Sequence, residues 1–169
     1  MDNTDREHSD IACPGCGAEL PDPGGVTPPG PHTSPGCWSL YGDVVGREYG
    51  EWGNPPVHRL TQDTYAVQHS GDPSPQAVQS VGLHLVALHL ALERGVEPGR
   101  VGRELGRVVS NVSELHQLEP PPAESWLTIV DVAGARDLRE HAMKVHRWAQ
   151  SVWEAWAQHH DTIRAWAGH

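Results

Sequence analysis

The sequence predicts an all-α protein, a helical bundle of about five helices that follows a cysteine-rich zinc knuckle and a Pro/Gly loop. Three observations predict it. Apolar side chains recur at helical spacing through most of the chain after Ser34. Ser-Pro pairs, which are typical of helix N-termini, occur at residues 34–35 and 74–75. All three cysteines lie before this helical part or at its start, and the length of 169 residues fits one domain.

The N-terminal part divides into a tail and a knuckle. Residues 1–12 are acidic and polar, which predicts a disordered tail. Residues 13–169 form the predicted single helical domain, with the zinc knuckle at 13–37. Residues 17–36 contain too many glycines and prolines for regular structure. A loop of this length inside a compact domain needs something to hold it, and metal ligands at both of its ends would do so.

Four helices are predicted between the knuckle and the three consecutive prolines at 120–122. The third of them is apolar on nearly every side, which predicts a buried helix at the centre of the bundle. The fourth carries its apolar residues on one stripe. The predicted ranges are about 35–49, 57–69, 75–95 and 98–117.

After the prolines, residues 128–131 have the spacing of a capping box, with Asp131 in the place of the usual Glu. This spacing favours a helical turn, with a short strand as the alternative. A long last helix over about 136–167 then carries Trp148, Trp156 and Trp166 on one face. The tryptophan stripe indicates packing within the bundle or a homodimer seam rather than stacking on a substrate.

Charge and hydropathy exclude several classes of partner. A formal net charge of −10 argues against nucleic-acid binding, which needs clustered positive charge. No run approaches the roughly 18 apolar residues of a membrane span, and the N-terminus lacks the character of a signal peptide. A cytoplasmic protein with no nucleic-acid and no membrane partner is therefore expected. No phosphate-binding loop, dinucleotide fingerprint or nucleophilic-serine motif occurs.

The three cysteines predict a zinc site. An odd number fits a disulfide framework poorly, and in a reducing compartment the pattern favours a metal. The turn Cys13-Pro-Gly-Cys16-Gly can direct two thiolates at one ion, and Cys37 supplies a third. Zinc prefers four nitrogen or sulfur ligands in a tetrahedron. A closed structural site is favoured over a catalytic one, and free thiols are the alternative to both.

The fourth zinc ligand is predicted from helix lengths. If the first three helices are antiparallel neighbours, Cys37 lies at the start of the first of them. His69, at the end of the second helix, returns to the level of Cys37, whereas His58 lies roughly 15–20 Å away. His69 is therefore the predicted ligand, with His32 second and His58 third.

A second cluster of histidines and carboxylates is predicted inside the bundle. The same comparison of helix lengths places His58 and His84 at one level on neighbouring helices, with Asp63 as a candidate hydrogen-bond partner of His84. The last helix could add His141 or His159. His58, Asp63 and His84 are thus the candidate catalytic residues of a metal-dependent enzyme. The alternative is an ordinary network that satisfies buried histidines.

Four strings resemble a bacterial family that is catalogued as a domain of unknown function. They are CPGCG at 13–17, SPGCWSLYG at 34–42, VHRLTQDTYAVQH at 57–69, and a fourth that begins with SPQ at 74–76 and continues through QSV at 79–81 to HL at 84–85. The resemblance is clear over about residues 13–95 and looser in the last helix. It implies no activity, but it does imply that seven residues belong to the shared pattern: Cys13, Cys16, Cys37, His58, Asp63, His69 and His84.

Three functions fit these observations. The first is a zinc-binding helical protein with a structural metal that acts by binding a small molecule or a protein. The second is a metal-dependent enzyme, hydrolytic or oxygen-using, with the histidine-rich site in the bundle. The third is a thiol-based redox or metal sensor that uses Cys13 and Cys16.

Overall fold

The computed structural model describes residues 9–110 and 112–168. Within these residues the chain is mostly helical, with one two-stranded antiparallel sheet. Short 3-10 turns occur at Val112–Glu114, Ala123–Ser125 and Ala157–His159. The strands are β1 (Asp10–Ala12) and β2 (Glu19–Pro21), and the helices are α1 (Pro35–Gly50), α2 (His58–Gln68), α3 (Pro75–Leu92), α4 (Pro98–Val109), α5 (Ile129–Val132), α6 (Leu138–Ala155) and α7 (His160–Ala167).

The helical class is confirmed, but the part of the chain described here has seven helices rather than about five. The predicted last helix, 136–167, is divided into α6 and α7. At the break, the Trp156 amide bonds back to the Trp153 carbonyl over three residues instead of four. His160 Nε2 donates to the same carbonyl at 2.8 Å. A side-chain donor thus compensates for the interrupted helix, which sequence spacing does not reveal.

The fourth helix is also shorter than predicted, because α4 ends at Val109 and not near residue 117. Ser110 Oγ donates back to the Gly106 carbonyl at 3.3 Å, a bond that competes with the helical pattern. Beyond the helix, Leu115 packs against α3 at Gly82, where a Cβ atom would lie 3.2 Å from it. Leaving the helical path therefore lets Leu115 cover α3.

The N-terminal hairpin corrects two expectations. Asp10–Ala12, predicted as part of the disordered tail, pairs with Glu19–Pro21, which falls in the loop predicted to lack regular structure. The pairing follows from a tight turn between the strands. The Gly17 amide donates to the Cys13 carbonyl at 2.9 Å, and the Cys13 amide donates to the Ala18 carbonyl at 2.8 Å. The rest of the predicted tail, residues 1–8, lies outside the described residues.

Side-chain caps set the starts of three helices as the sequence predicts. Ser34 Oγ accepts the amide hydrogen of Cys37 at 3.2 Å, and Ser74 Oγ accepts that of Ala77 at 3.1 Å. Thr128 and Asp131 form a capping box, so the segment is the helical turn α5 and not a strand.

The centre of the molecule is α3, as its all-round apolar sequence predicts. It packs against α2, α4, α6 and α7. Leu85, Val86, Ala87 and Leu88 on this helix are completely buried. α2 contacts α3, α6 and α1. The end of α2 therefore lies beside the start of α1, which positions the cysteine cluster described below.

Within the described ranges, none of the helices has the length and apolar character needed to cross a membrane.

Candidate metal centre

Four buried side chains bring their donor atoms together where the N-terminal hairpin meets α1 and α2. Cys13 and Cys16 lie in the hairpin turn, Cys37 in the first turn of α1, and His69 directly after α2. The three sulfurs and one imidazole nitrogen all lie within 4.8 Å of one another. None of the four residues is more than 3% exposed. This cluster, Cys13, Cys16, Cys37 and His69, can hold a metal ion.

Two distances between donor atoms of the cluster are close to those of a tetrahedral ion. Cys16 Sγ and Cys37 Sγ are 3.7 Å apart, and Cys37 Sγ is 3.4 Å from His69 Nε2. Two thiolates at 2.3 Å from a tetrahedral zinc ion would be about 3.8 Å apart, and a thiolate and an imidazole nitrogen about 3.6 Å. A disulfide would require about 2.05 Å between the sulfurs, so the three cysteines are free thiols.

The orientation of the His69 ring is set by the main chain of α2. Its Nδ1 donates to the Tyr65 carbonyl, one turn earlier, at 2.7 Å. The Tyr65 ring stacks on the imidazole at 3.8 Å between centroids. Both contacts leave Nε2 directed at the thiols, so this nitrogen, and not the one bonded to the Tyr65 carbonyl, is the one available to a metal ion. This is the arrangement expected for a histidine ligand of a metal ion.

The two alternative fourth ligands lie elsewhere. His32 is half-exposed and pairs with Asp72 at 3.2 Å. His58 binds the buried carboxylate of Glu48 through Nδ1. Of the three histidines considered from the sequence, the structure places His69 alone in the cluster.

The cluster perturbs the titration of its members. Hydrogen bonds from the Cys16 and Cys37 thiols lower the pKa of Cys13, against the effect of burial. The same contact with Cys13 raises the pKa of Cys16. Burial lowers the pKa of His69, but the hydrogen bonds to Cys13 and Cys37 outweigh it and raise that pKa to about 9. One thiolate beside a protonated His69 ring is therefore the favoured state of the protein groups alone. Metal ions bind thiolates, and a metal ion bound here would displace the proton from Nε2.

Donors around the sulfurs stabilise negative charge on them. The Ser34 amide donates to Cys13 Sγ at 3.4 Å. The Tyr65 hydroxyl lies 3.6 Å from Cys37 Sγ and 2.8 Å from Thr33 Oγ1. Burial, followed by the nearby charge of Cys37, raises the pKa of Tyr65, so its hydroxyl stays protonated and able to donate. Such outer contacts orient metal ligands.

Two glycines allow the hairpin turn to approach α2. A Cβ on Gly15 would lie 2.5 Å from His69 Cδ2 and 2.8 Å from the Gln68 carbonyl oxygen, closer than any side chain permits. Gly17 has a φ of +80°, a conformation that glycine adopts without strain. These positions explain why the two cysteines are separated by Pro-Gly and followed by Gly.

A second buried group surrounds Glu48 of α1, which is completely inaccessible to solvent. Its carboxylate accepts hydrogen bonds from His58 Nδ1 at 2.5 Å, Thr61 Oγ1 at 2.6 Å and His141 Nε2 at 2.6 Å. Burial acts to raise the pKa of Glu48, but the bonds from His141, Thr61 and His58 lower it overall. The carboxylate is therefore ionised, and donors from two helices, α2 and α6, join those helices to α1.

A third group lies between α2 and α3. Asp63, 2% exposed, accepts from His84 Nδ1 at 2.7 Å and from Arg59 Nε at 2.8 Å. The three predicted catalytic residues are therefore not together: Asp63 and His84 are hydrogen-bonded to each other, whereas His58 is hydrogen-bonded to Glu48. In the described ranges, the cysteine cluster is the one set of three or more histidine, cysteine or acidic ligands within 4.8 Å.

Of the two histidines that the predicted last helix could add to the second cluster, one lies in a buried group and the other does not. His141 is buried and contacts Glu48, whereas His159 is partly exposed and bonds the Glu119 carbonyl at 2.8 Å. Glu48 itself was not among the candidate residues. Its position on the apolar stripe of α1, after Tyr41 and Val44, is the signal that could have identified it, because a carboxylate there is buried and must find donors.

The fold and the cluster together define a class: a small helical protein with an N-terminal Cys3His group that can hold a metal ion. The chain belongs to DUF5946, a family of unknown function, whose model matches residues 11–157. This confirms the resemblance to an uncharacterised family. No curated protein and no solved structure matches the chain.

Proposed function

We propose that this protein is a zinc-binding helical protein whose metal is structural and which acts by binding a ligand or a partner. One observation carries the proposal: protein side chains supply all four donors, and all four are buried. A structural zinc site is closed in this way, whereas a catalytic site leaves a position for water or substrate.

The choice of zinc follows from the donor set. Three thiolates and one imidazole in a tetrahedral arrangement are typical of zinc, since soft sulfur donors disfavour magnesium, calcium and manganese. The ion would join three segments: the hairpin turn, the start of α1 and the end of α2. It would also close the Pro/Gly loop, residues 22–33, between its ligands at both ends.

Metal content tests the proposal directly. We expect one zinc per chain in protein purified without added metal and without a histidine-rich tag. The variant His69→Ala should lose the zinc and melt at a lower temperature, because one of four ligands is removed. His32→Ala is the matched control: it removes a nearby histidine that pairs with Asp72 outside the cluster, so zinc should stay at one equivalent.

Two results would contradict the proposal. Absence of zinc in the purified protein would show that the cysteines are free thiols. A second equivalent of metal, lost in a folded His84→Ala variant, would support the metal-dependent enzyme instead. Elemental analysis of the same four proteins, with circular dichroism to show that each is folded, separates these outcomes.

A further inference from the structure

A cavity of about 410 Å³ lies between α2, α3, α4 and α6. None of the four metal-centre residues lines it. Its volume falls within the roughly 300–1,000 Å³ typical of small-molecule sites. The walls are mostly aliphatic, with Val57, Leu60, Val96, Val101, Leu138 and Ala142 among the lining residues.

One basic side chain at this cavity has unused hydrogen-bonding capacity. Arg59 lines it and is a third exposed. Its Nε donates to Asp63 Oδ2 at 2.8 Å, while the two terminal nitrogens have no hydrogen-bond partner in the described part of the protein. The ion pair with buried Asp63 therefore fixes the plane of the guanidinium and leaves its outer edge available. That edge presents two parallel N–H groups, which match the two oxygens of a carboxylate.

The other charged groups at the cavity do not compete for this edge. Asp63 already accepts from Arg59 and from His84, one bond on each oxygen. Glu97 and His146 also line the cavity but are exposed, so water and salt screen them. The strongest complement that the lining offers is an aliphatic body with one anionic group beside Arg59.

We propose that this cavity binds a medium-chain carboxylic acid, with the hydrocarbon chain among the aliphatic walls and the carboxylate on the terminal nitrogens of Arg59. The site is separate from the metal centre, so the proposal stands whether or not the metal is zinc. Burial of the hydrocarbon chain supplies most of the affinity, and Arg59 supplies selection for the acid.

Titration calorimetry with octanoate and octan-1-ol tests the proposal on the full chain as purified. The two probes share a hydrocarbon chain and differ in charge. Octanoate should bind about three- to tenfold more tightly, the range expected for a partly exposed ion pair with good geometry. In Arg59→Gln this difference in affinity should disappear. Arg107→Gln, the control, changes an exposed arginine in the last turn of α4 and should preserve the difference. Equal affinity for both probes in the unmodified protein would overturn the proposal.

The location of binding is tested separately. Ala142→Trp fills the cavity and should abolish octanoate binding, whereas Met143→Trp places the same ring on the exposed side of α6 and should not. Amide chemical shifts of the unmodified protein provide a measurement that needs no variant. Octanoate should shift the amides of residues 55–63 and 95–101. Shifts confined to other regions, or unchanged binding in a folded Ala142→Trp variant, would place the ligand elsewhere and overturn the proposal.

Discussion

Glu48 shows how a charge can be kept inside this bundle. An isolated carboxylate with no solvent access would be protonated, because desolvation disfavours its charged form. Three donors on one carboxylate reverse that outcome, so its pKa is lowered rather than raised. The second nitrogen of His58, Nε2, is buried with no hydrogen-bond partner among the described atoms. Nδ1 donates its hydrogen bond to Glu48, and at the unpartnered Nε2 a lone pair costs less than a buried, unpaired N–H group would.

Replacing Glu48 with glutamine should destabilise the protein by about 1–3 kcal/mol, because the amide cannot accept all three donors. A glutamine at Glu51 is the matched control, since that residue lies on the same helix in a half-exposed pair with Arg47 and should change stability by less than about 0.5 kcal/mol. Urea unfolding at neutral pH measures both. Equal stability of the Glu48→Gln variant and the unmodified protein would show that the three hydrogen bonds contribute nothing net.

The same carboxylate should make stability depend on pH. Because the folded-state pKa of Glu48 lies below its ordinary value of 4.5, its contribution is fully present above pH 4.5 and is lost as the pH falls through the folded-state pKa. The difference in unfolding free energy between the unmodified protein and Glu48→Gln should therefore narrow in acid. Both proteins share the metal centre, so its own acid sensitivity cancels in the comparison. A difference that stays constant from pH 7 to pH 3 would contradict this assignment.

Sequence reasoning placed His69 correctly beside Cys37 because helix length alone decides that distance. The partner of His58 could not be found in that way. Whether His58 faces Asp63 or Glu48 depends on the rotation of α2 about its axis, and a rotation of one residue, about 100°, changes the answer. Helix lengths predict how far along the bundle a residue lies, but they do not predict which neighbouring helix its side chain faces.

At the scale of the helices, the caps connect local structure to the metal centre. Ser34 accepts the Cys37 amide and is itself 3% exposed, while its own amide donates to Cys13 Sγ. The start of α1 and the position of two cysteines therefore depend on one residue. Ser74 caps α3 in the same way, but it is exposed, and its hydroxyl accepts from the Ala77 amide and not from a residue of the cluster.

The variant Ser34→Ala should lose about 1 kcal/mol of stability, the usual cost of removing a helix N-cap, and should also release metal to a chelator faster. Ser74→Ala is its matched control: it should lose a similar amount of stability with no change in metal release. Thermal melts and chelator competition with a coloured zinc indicator measure the two effects. Equal metal release in both variants would show that the cap of α1 does not support the cluster.

Helix ends were harder to predict than helix starts for a physical reason. Starts carry short-range signals, such as Ser34-Pro35 and the Thr128–Asp131 box, whose partners are three residues away. At the end of α6, the His160 side chain donates a hydrogen bond to a carbonyl seven residues earlier. Beyond the end of α4, Leu115 packs against α3. Such contacts depend on tertiary packing, so spacing alone continues both helices too far.

At the scale of the whole molecule, the four tryptophans from Trp148 onward pack in the interior of a single chain. Trp148, Trp153, Trp156 and Trp166 are all buried, and Trp148 Nε1 donates to Gln68 at 2.9 Å. Packing within the bundle, one of the two roles expected of this stripe, accounts for these residues. A homodimer through the last helix stays a prediction and would have to use other side chains; sedimentation velocity would measure it.

Because the molecule is divided into a hairpin and a bundle, we expect removal of a metal bound at the cluster to unfold the hairpin and not the bundle. Most of the buried apolar side chains lie on α2, α3, α4, α6 and α7, whereas the hairpin strands are largely exposed and contribute few. A segment without a hydrophobic core of its own depends on the free energy of metal binding for its folding. We therefore expect a chelator to expose residues 10–37 to hydrogen exchange while the amides of α3 and α6 stay protected. Mass spectrometry of peptides after exchange, with and without chelator, measures both regions at once. Simultaneous loss of protection in α3 would show instead that the ion holds the whole bundle together, because unfolding of its central helix cannot be local.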